Sequence, residues 1–288
     1  VKEQLFAFIQ HLLPHHLISR AVYAFVESRN PKFKNWLIKK IIKQYDVNMT
    51  EALEENPEAY ANFNDFFTRP LKEGMRPLPE DKSLVVSPAD GEISQIGDIE
   101  YGRVYQAKGH DYSLIELVGG DSDLGQEFMG GKFATIYLSP KDYHRVHTPF
   151  GGKLRKMVHV PGRLFSVNQA TVENVPGLFA RNERVVAIYD TEYGPMAVIM
   201  VGAMIVASIE TVWAGLVTPQ RKEVRTFEYG EDSARHVELE RGDEMGRFKM
   251  GSTAIVLFGK DQVDWLDQWQ AGSKIRLGEA LAKPDSAE

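Results

Sequence analysis

Three short segments hold side chains that could do chemistry, and each is ambiguous by itself. Ser87-Pro88-Ala89-Asp90-Gly91 places a carboxylate directly before a glycine, and Asp-Gly is first of all a turn signal. The run over residues 139–149 carries His144 and His147, three apart, so both rings can share one face of a helix or turn. Such a pair could be an acid and a base, two metal ligands or two structural histidines, and no third ligand at a familiar spacing accompanies it. Met250-Gly251-Ser252-Thr253 stands between Arg247-Phe248-Lys249 and an apolar run over 254–258, and alone it reads as a Gly-Ser turn entering a strand. Commoner signatures are missing. No serine has glycines two residues to each side, and there is no Walker loop, dinucleotide fingerprint or His-Glu-x-x-His helix. Zero cysteines exclude disulfides, thiolate zinc sites, iron–sulfur ligation and a cysteine nucleophile, which suits a reducing compartment.

The elements that must position these residues divide the chain in two. Over 3–27, apolar residues recur at three- and four-residue intervals, predicting two short amphipathic helices broken at Pro14. A further helix over 33–44 sets Phe33, Trp36, Leu37 and Ile41 beside Lys34, Lys39, Lys40 and Lys43. That is the basic-amphipathic pattern of an interfacial anchor; the alternative is a helical pair packed on the body or on a second subunit, as in a homodimer. From Phe63 onward, β-rich runs such as Leu84-Val85-Val86, 133–138 and 185–189 are punctuated by Gly and Pro. The uncharged stretch from Tyr193 to Ile209 is nearly long enough to span a bilayer, but Gly194-Pro195, Gly202 and its Val/Ile content favour two buried strands joined near Gly202. The expected fold is α+β: a predominantly antiparallel β core over 63–288 preceded by amphipathic helices over 1–62.

Charge follows the same division. The chain of 288 residues has a formal charge of −6, yet residues 1–49 hold eight Lys and Arg against three Asp and Glu, a net +5 that leaves −11 for the rest. A basic, aromatic-bearing leader on an acidic body points to an anionic surface met by one end of the molecule. The apolar content of that leader fits lipid better than nucleic acid. Its first residues lack a small-residue cleavage site and do not read as a signal peptide.

The three segments, in this order, resemble the bacterial phosphatidylserine decarboxylases, pyruvoyl-dependent enzymes made as proenzymes (prokaryotic type I). Also similar are Asn62-Phe63-Asn64-Asp65-Phe66-Phe67-Thr68-Arg69-Pro70-Leu71, Val160-Pro161-Gly162-Arg163-Leu164-Phe165-Ser166-Val167-Asn168, Leu178-Phe179-Ala180-Arg181-Asn182-Glu183-Arg184, Glu210-Thr211-Val212-Trp213-Ala214-Gly215 and Gly246-Arg247-Phe248, so the likeness covers residues 10–282. One departure is Met250 where the family usually has Leu, a volume-conserving swap beside the bond to be cut.

The resemblance implies a mechanism. His147 would take the proton of the Ser252 hydroxyl while Asp90 orients its imidazole, and Ser252 would attack the carbonyl of Gly251. β-Elimination and hydrolysis would then leave a β chain of residues 1–251 and an α chain of 252–288 capped by a pyruvoyl group. That group, with no separate cofactor and no metal, would form a Schiff base with phosphatidylserine, accept the electrons freed with CO2 and yield phosphatidylethanolamine. His144 is the expected proton donor to the intermediate, with His147 acting twice as its rival. His110 and His159 receive no role. The implied location is peripheral, on the cytoplasmic face of the inner membrane. Two other functions stay open: a pyruvoyl decarboxylase of a soluble amino-acid derivative, and a lipid-binding β-domain in which Ser252 remains a serine.

Overall fold

Asn30 starts the best-defined helix. Its side-chain oxygen accepts from the N–H groups of Lys32 and Phe33 at 3.1 and 3.2 Å, Pro31 occupies the first helical position, and Asp46 ends the helix in the left-handed region at φ 55°. The computed structural model describes residues 8, 10–11, 13–204, 208–218, 223–230, 235–249 and 253–285. Within them, α1 (His15–Val26) follows Pro14, α2 (Pro31–Tyr45) follows Asn30, and α3 (Phe63–Phe67) is capped by Asn62. The amides of Asn62 and Asn64 both donate to the Glu27 carboxylate, at 3.0 and 2.6 Å, tying α3 to the end of α1. Val26, Ile38, Val47, Tyr60, Phe63, Phe66 and Phe67 form a small core of their own, so the helical layer is held by burial as well as by caps.

The remainder is antiparallel sheet with few helices, as the short Val/Ile-rich runs predict. Among the described residues, the largest sheet has nine strands. Eight follow the order Arg225–Glu228, Gly152–Val160, Arg184–Thr191, Gly194–Val201, Thr253–Phe258, Lys132–Tyr137, Gly91–Asp98 and Lys274–Ile275, with Glu238–Leu239 pairing separately on Gly152–Val160. Every neighbouring pair is antiparallel. Thr253–Phe258 lies near the middle, pairing along its whole length with Gly194–Val201 on one side and Lys132–Tyr137 on the other. All six of its residues are buried. Each fully buried Ile, Val, Leu or Phe contributes about 1.5–3 kcal/mol, and the continuous apolar run reflects burial on both faces. Gly194–Val201 and Ile209–Thr211 are two separate strands, as expected for the uncharged stretch. Among the described residues no helix is long and apolar enough to cross a membrane.

A second sheet carries the histidines. Its order is Gly215–Leu216, Ile209–Thr211, Glu244–Phe248 and Arg145–His147. Arg145 fixes its edge strand by donating to the Thr68 carbonyl at 2.9 Å and to Glu244 at 2.8 Å.

Candidate active site

Ser87-Pro88-Ala89-Asp90 forms a buried turn whose Ser87 hydroxyl donates to the Ala89 carbonyl at 2.8 Å. Gly91 follows because nothing larger fits: a β-carbon there would lie 2.2 Å from the Tyr137 carbonyl oxygen. The N–H of His147 donates to the Pro88 carbonyl at 2.8 Å, and that of Val86 to Pro149 at 2.9 Å, so the Asp90 turn and the His147 strand are stitched side by side.

Their side chains, however, have different partners. The Asp90 carboxylate accepts a two-pronged contact from Arg76, Nε at 2.8 Å and Nη2 at 2.5 Å, and a third hydrogen bond from the Leu277 N–H at 2.9 Å. Arg76 also reaches Glu51 at 2.7 Å, and Arg276 holds the other oxygen of Glu51 at 2.7 Å. Burial disfavours charge on Arg76, but Asp90 and Glu51 outweigh it and raise the guanidinium above its usual range. Burial likewise acts to raise Glu51, and the two arginines overcome it and hold that carboxyl low.

The His147 ring is oriented by the backbone. Its Nδ1 lies 2.7 Å from the carbonyl oxygen of Gly242, which can only accept, so Nδ1 carries the proton. Nε2 is left with its lone pair and accepts from the Tyr143 hydroxyl at 3.2 Å. Burial lowers the His147 pKa, partly offset by the Gly242 carbonyl and Glu244. Burial also pushes Tyr143 up to about 12, keeping its hydroxyl a donor. Among the described residues no hydrogen bond joins Asp90 to His147.

His144 is fully buried, its ring 3.9 Å from that of Phe67, and among the described residues neither ring nitrogen meets a hydrogen-bond partner at good geometry. Burial first, and the positive charge of Arg69 second, lower its pKa to about 3. The His144 carbonyl accepts from the Phe248 N–H at 3.0 Å, holding the strand that leads to the Gly-Ser dipeptide against the histidine segment. Gly251 and Ser252 lie outside the described residues; the chain is described up to Lys249 and again from Thr253. His159 lies in the β core, where its Nε2 pairs with Glu183 at 2.9 Å. Among the described residues no three His, Asp or Glu side chains gather as metal ligands.

A family model described as phosphatidylserine decarboxylase matches residues 63–283, and a shorter one described as PSD matches residues 5–46. The chain belongs to the phosphatidylserine decarboxylase family. It is 62% identical over 287 residues to the phosphatidylserine decarboxylase proenzyme of Pseudomonas entomophila, with all of both chains covered. Proteins of the same name from Pseudomonas fluorescens and Pseudomonas putida are 59% and 61% identical, the former over 99% of this chain and the whole relative, the latter over all of both. Membership of the phosphatidylserine decarboxylase family makes the chain an enzyme, with decarboxylase relatives made as proenzymes.

Sequence reasoning missed Arg76, Gly242 and Tyr143 as partners of the expected site residues. Tyr143 stands inside the histidine segment and could have been found as a donor one residue from His144. Arg76 sits in a loop without a motif, and Gly242 acts through a backbone carbonyl, which no side-chain pattern reveals.

Proposed function

We propose that this chain is cut between Gly251 and Ser252, that Ser252 becomes a pyruvoyl group, and that the mature enzyme converts phosphatidylserine to phosphatidylethanolamine and CO2. The observation that carries the chemistry is the His147–Gly242 contact, which leaves Nε2 as a base inside the second sheet. In this reading His147 takes the Ser252 proton, and Asp90, fixed by Arg76, supplies negative charge beside the strand that bears His147. When formed, the pyruvoyl group supplies a carbonyl that takes up the substrate amine and accepts the electrons left by CO2. The two nitrogens of His144, without a partner among the described residues, fit such a group, because the neutral ring keeps one N–H that can face the substrate carbon. The 251-residue and 37-residue fragments stay together.

Residues 1–62 serve in this reading as the membrane-associating segment and 63–288 as the catalytic part. Support comes from the apolar residues left outside. Gln10, and His15 and Ser19 of α1, are buried against the body, Gln10 donating to Ser166 at 2.8 Å, whereas Leu17 and Phe25 of α1 and Trp36 of α2 are 67%, 61% and 56% exposed. Large apolar side chains that stay outside while Val26 and Ile38 pack inward match an interfacial surface, here on the cytoplasmic face.

The test is the mass of the small fragment. A pyruvoyl-capped 252–288 peptide that disappears in Ser252→Ala is expected, and a single uncut chain after prolonged incubation would overturn the proposal. Vesicles of phosphatidylserine set against free amino acids separate the lipid substrate from a soluble one.

A further inference from the structure

The start of the leader is pinned to one loop of the β body. Gln10 Nε2 donates to the Ser166 hydroxyl at 2.8 Å and its Oε1 accepts from the Ser166 N–H at 2.9 Å. The Leu164 N–H donates to His15 Nδ1 at 3.3 Å, and His16 Nε2 donates to the Gly162 carbonyl at 2.9 Å. This loop carries Arg163 and lies against Arg181, whose carbonyl accepts from the Arg163 N–H at 2.8 Å. Gly162 allows the close approach, since a β-carbon there would lie 2.4 Å from the Arg181 carbonyl oxygen. The Arg181 guanidinium lies 4.9 Å over the Phe165 ring, which also meets the His11 and His15 rings edge-on at 4.8 and 5.0 Å.

Arg163 and Arg181 are both exposed, and among the described residues no carboxylate pairs with either. Other arginines at the surface of the body have acids: Arg103 has Asp111 at 2.5 Å, Arg155 has Glu127 at 2.5 Å, and Arg247 has Glu244 at 2.7 Å. Partial burial first, and the like charge of Arg163 second, lower the Arg181 pKa, and both arginines act on His11 in the same sense. Positive charge is thus gathered at one spot on the part of the chain whose net charge is negative. Such a local field attracts an anionic surface. Leu17, 67% exposed, directly follows His16 on α1, and Phe8 on the same leader is 61% exposed. Free guanidinium groups beside exposed apolar side chains suit the headgroup layer of a bilayer better than a nucleic acid.

Resting on the membrane reading of the leader, we propose that Arg163 and Arg181 are a second membrane contact, on the catalytic part itself, that takes the phosphates of anionic phospholipids. An exposed guanidinium presents paired N–H donors to phosphate oxygens, and two of them side by side hold the body to the bilayer where the leader joins it. The place matters for the reaction. Asn182 Nδ2 donates to the carbonyls of Phe165 and Gly202 at 2.8 and 2.9 Å, so the arginine loop is tied to the end of Gly194–Val201. Val201 pairs with Thr253, the residue after the proposed cleavage point. A bilayer held at Arg163 and Arg181 therefore meets the end of the sheet at which Thr253–Phe258 begins, and a lipid substrate has a short path to it.

The experiment is co-sedimentation of the full chain with phosphatidylcholine vesicles, with and without phosphatidylglycerol, an anionic lipid that has no amine to be turned over. Arg163→Gln/Arg181→Gln should weaken binding to the anionic vesicles roughly 30-fold, about fivefold for each basic residue at a charged surface, and should flatten its salt dependence. Arg163→Lys/Arg181→Lys should restore most of that binding. Lys82→Gln/Lys283→Gln removes the same charge from two other exposed positions and should weaken binding far less. A glutamine pair that binds as tightly as the wild type, or loses no more than the Lys82 and Lys283 control, would overturn the proposal. So would a loss that lysine does not restore, since that marks a packing role. A wild type that ignores anionic vesicles altogether would sink the membrane reading of the leader, and this contact with it. Should the glutamine pair fail to fold, Arg163→Cys decides, because the chain has no other cysteine and takes a single environment-sensitive dye. Its emission should shift to the blue on anionic vesicles, and unchanged emission from sedimented protein would overturn the proposal.

Discussion

The Nδ1 atom of His147 lies 2.7 Å from the carbonyl oxygen of Gly242. A backbone carbonyl thus sets the tautomer that an acidic residue sets in a serine-protease triad. Nitrogen-15 spectra of the Ser252→Ala chain should show His147 neutral with the proton on Nδ1. Because burial lowers its pKa, the base form should persist below the ordinary imidazole value of 6.5, and self-cleavage should hold its rate as pH falls to that value. A proton on Nε2 would contradict the assignment.

His144 and His147 together predict an acid-sensitive fold. Both have pKa values lowered in the folded chain, so below 6.5 the unfolded chain binds more protons. Their stabilising effect is fully present above 6.5 and is lost as pH falls toward the folded values, which for His144 is about 3. Urea midpoints of Ser252→Ala against pH should show this decline, and adding His144→Phe, which keeps a ring against Phe67, should flatten it. An unaltered pH dependence in that double variant would assign the decline to other groups.

Asp90 and Arg76 form a pair with side chains only 9% exposed each. Removing Asp90 leaves Arg76 with Glu51 alone, and removing Arg76 leaves Asp90 with only the Leu277 N–H, a loss of about 1–5 kcal/mol. On the Ser252→Ala background, Asp90→Ala and Arg76→Ala should each lower the urea midpoint. The double variant should lose less than the sum, with a coupling of roughly 1–3 kcal/mol. Strict additivity would mean that the contact contributes nothing to the fold.

Phe25 and Trp36 present their rings to solvent, and Lys40 sits 5.1 Å from the Trp36 ring. Phe25→Ser and Trp36→Ser should change stability by no more than about 0.5 kcal/mol, as exposed substitutions do. Each should weaken partition onto anionic vesicles roughly tenfold or more, the equivalent of about 1.5–3 kcal/mol of apolar burial. Co-sedimentation measures it, and undiminished binding would place the membrane contact elsewhere.

The sheet was legible where burial on both faces writes an unbroken apolar run, as in 254–258 and 196–201, and α2 was legible over 33–44 from its period, although it starts at Pro31 because Asn30 caps it. The chemical residues were legible by type. Their partners were not. Nothing near Arg76 marks it as the residue that grips Asp90, because the contact depends on a loop folding back across the turn. Gly242 contributes an atom that every residue possesses.

The position of Thr253–Phe258 has a consequence for the life of the molecule. A break in the chain just before this strand would leave the shorter piece clamped by two full ladders, so it would not dissociate under native conditions. Once melted, though, the two pieces could meet again only by diffusion, and the longer one would have lost a strand from the interior of its sheet. Folding would then be a single opportunity, taken by the intact chain, and the mature enzyme would last as long as its unfolding barrier rather than its equilibrium stability allows.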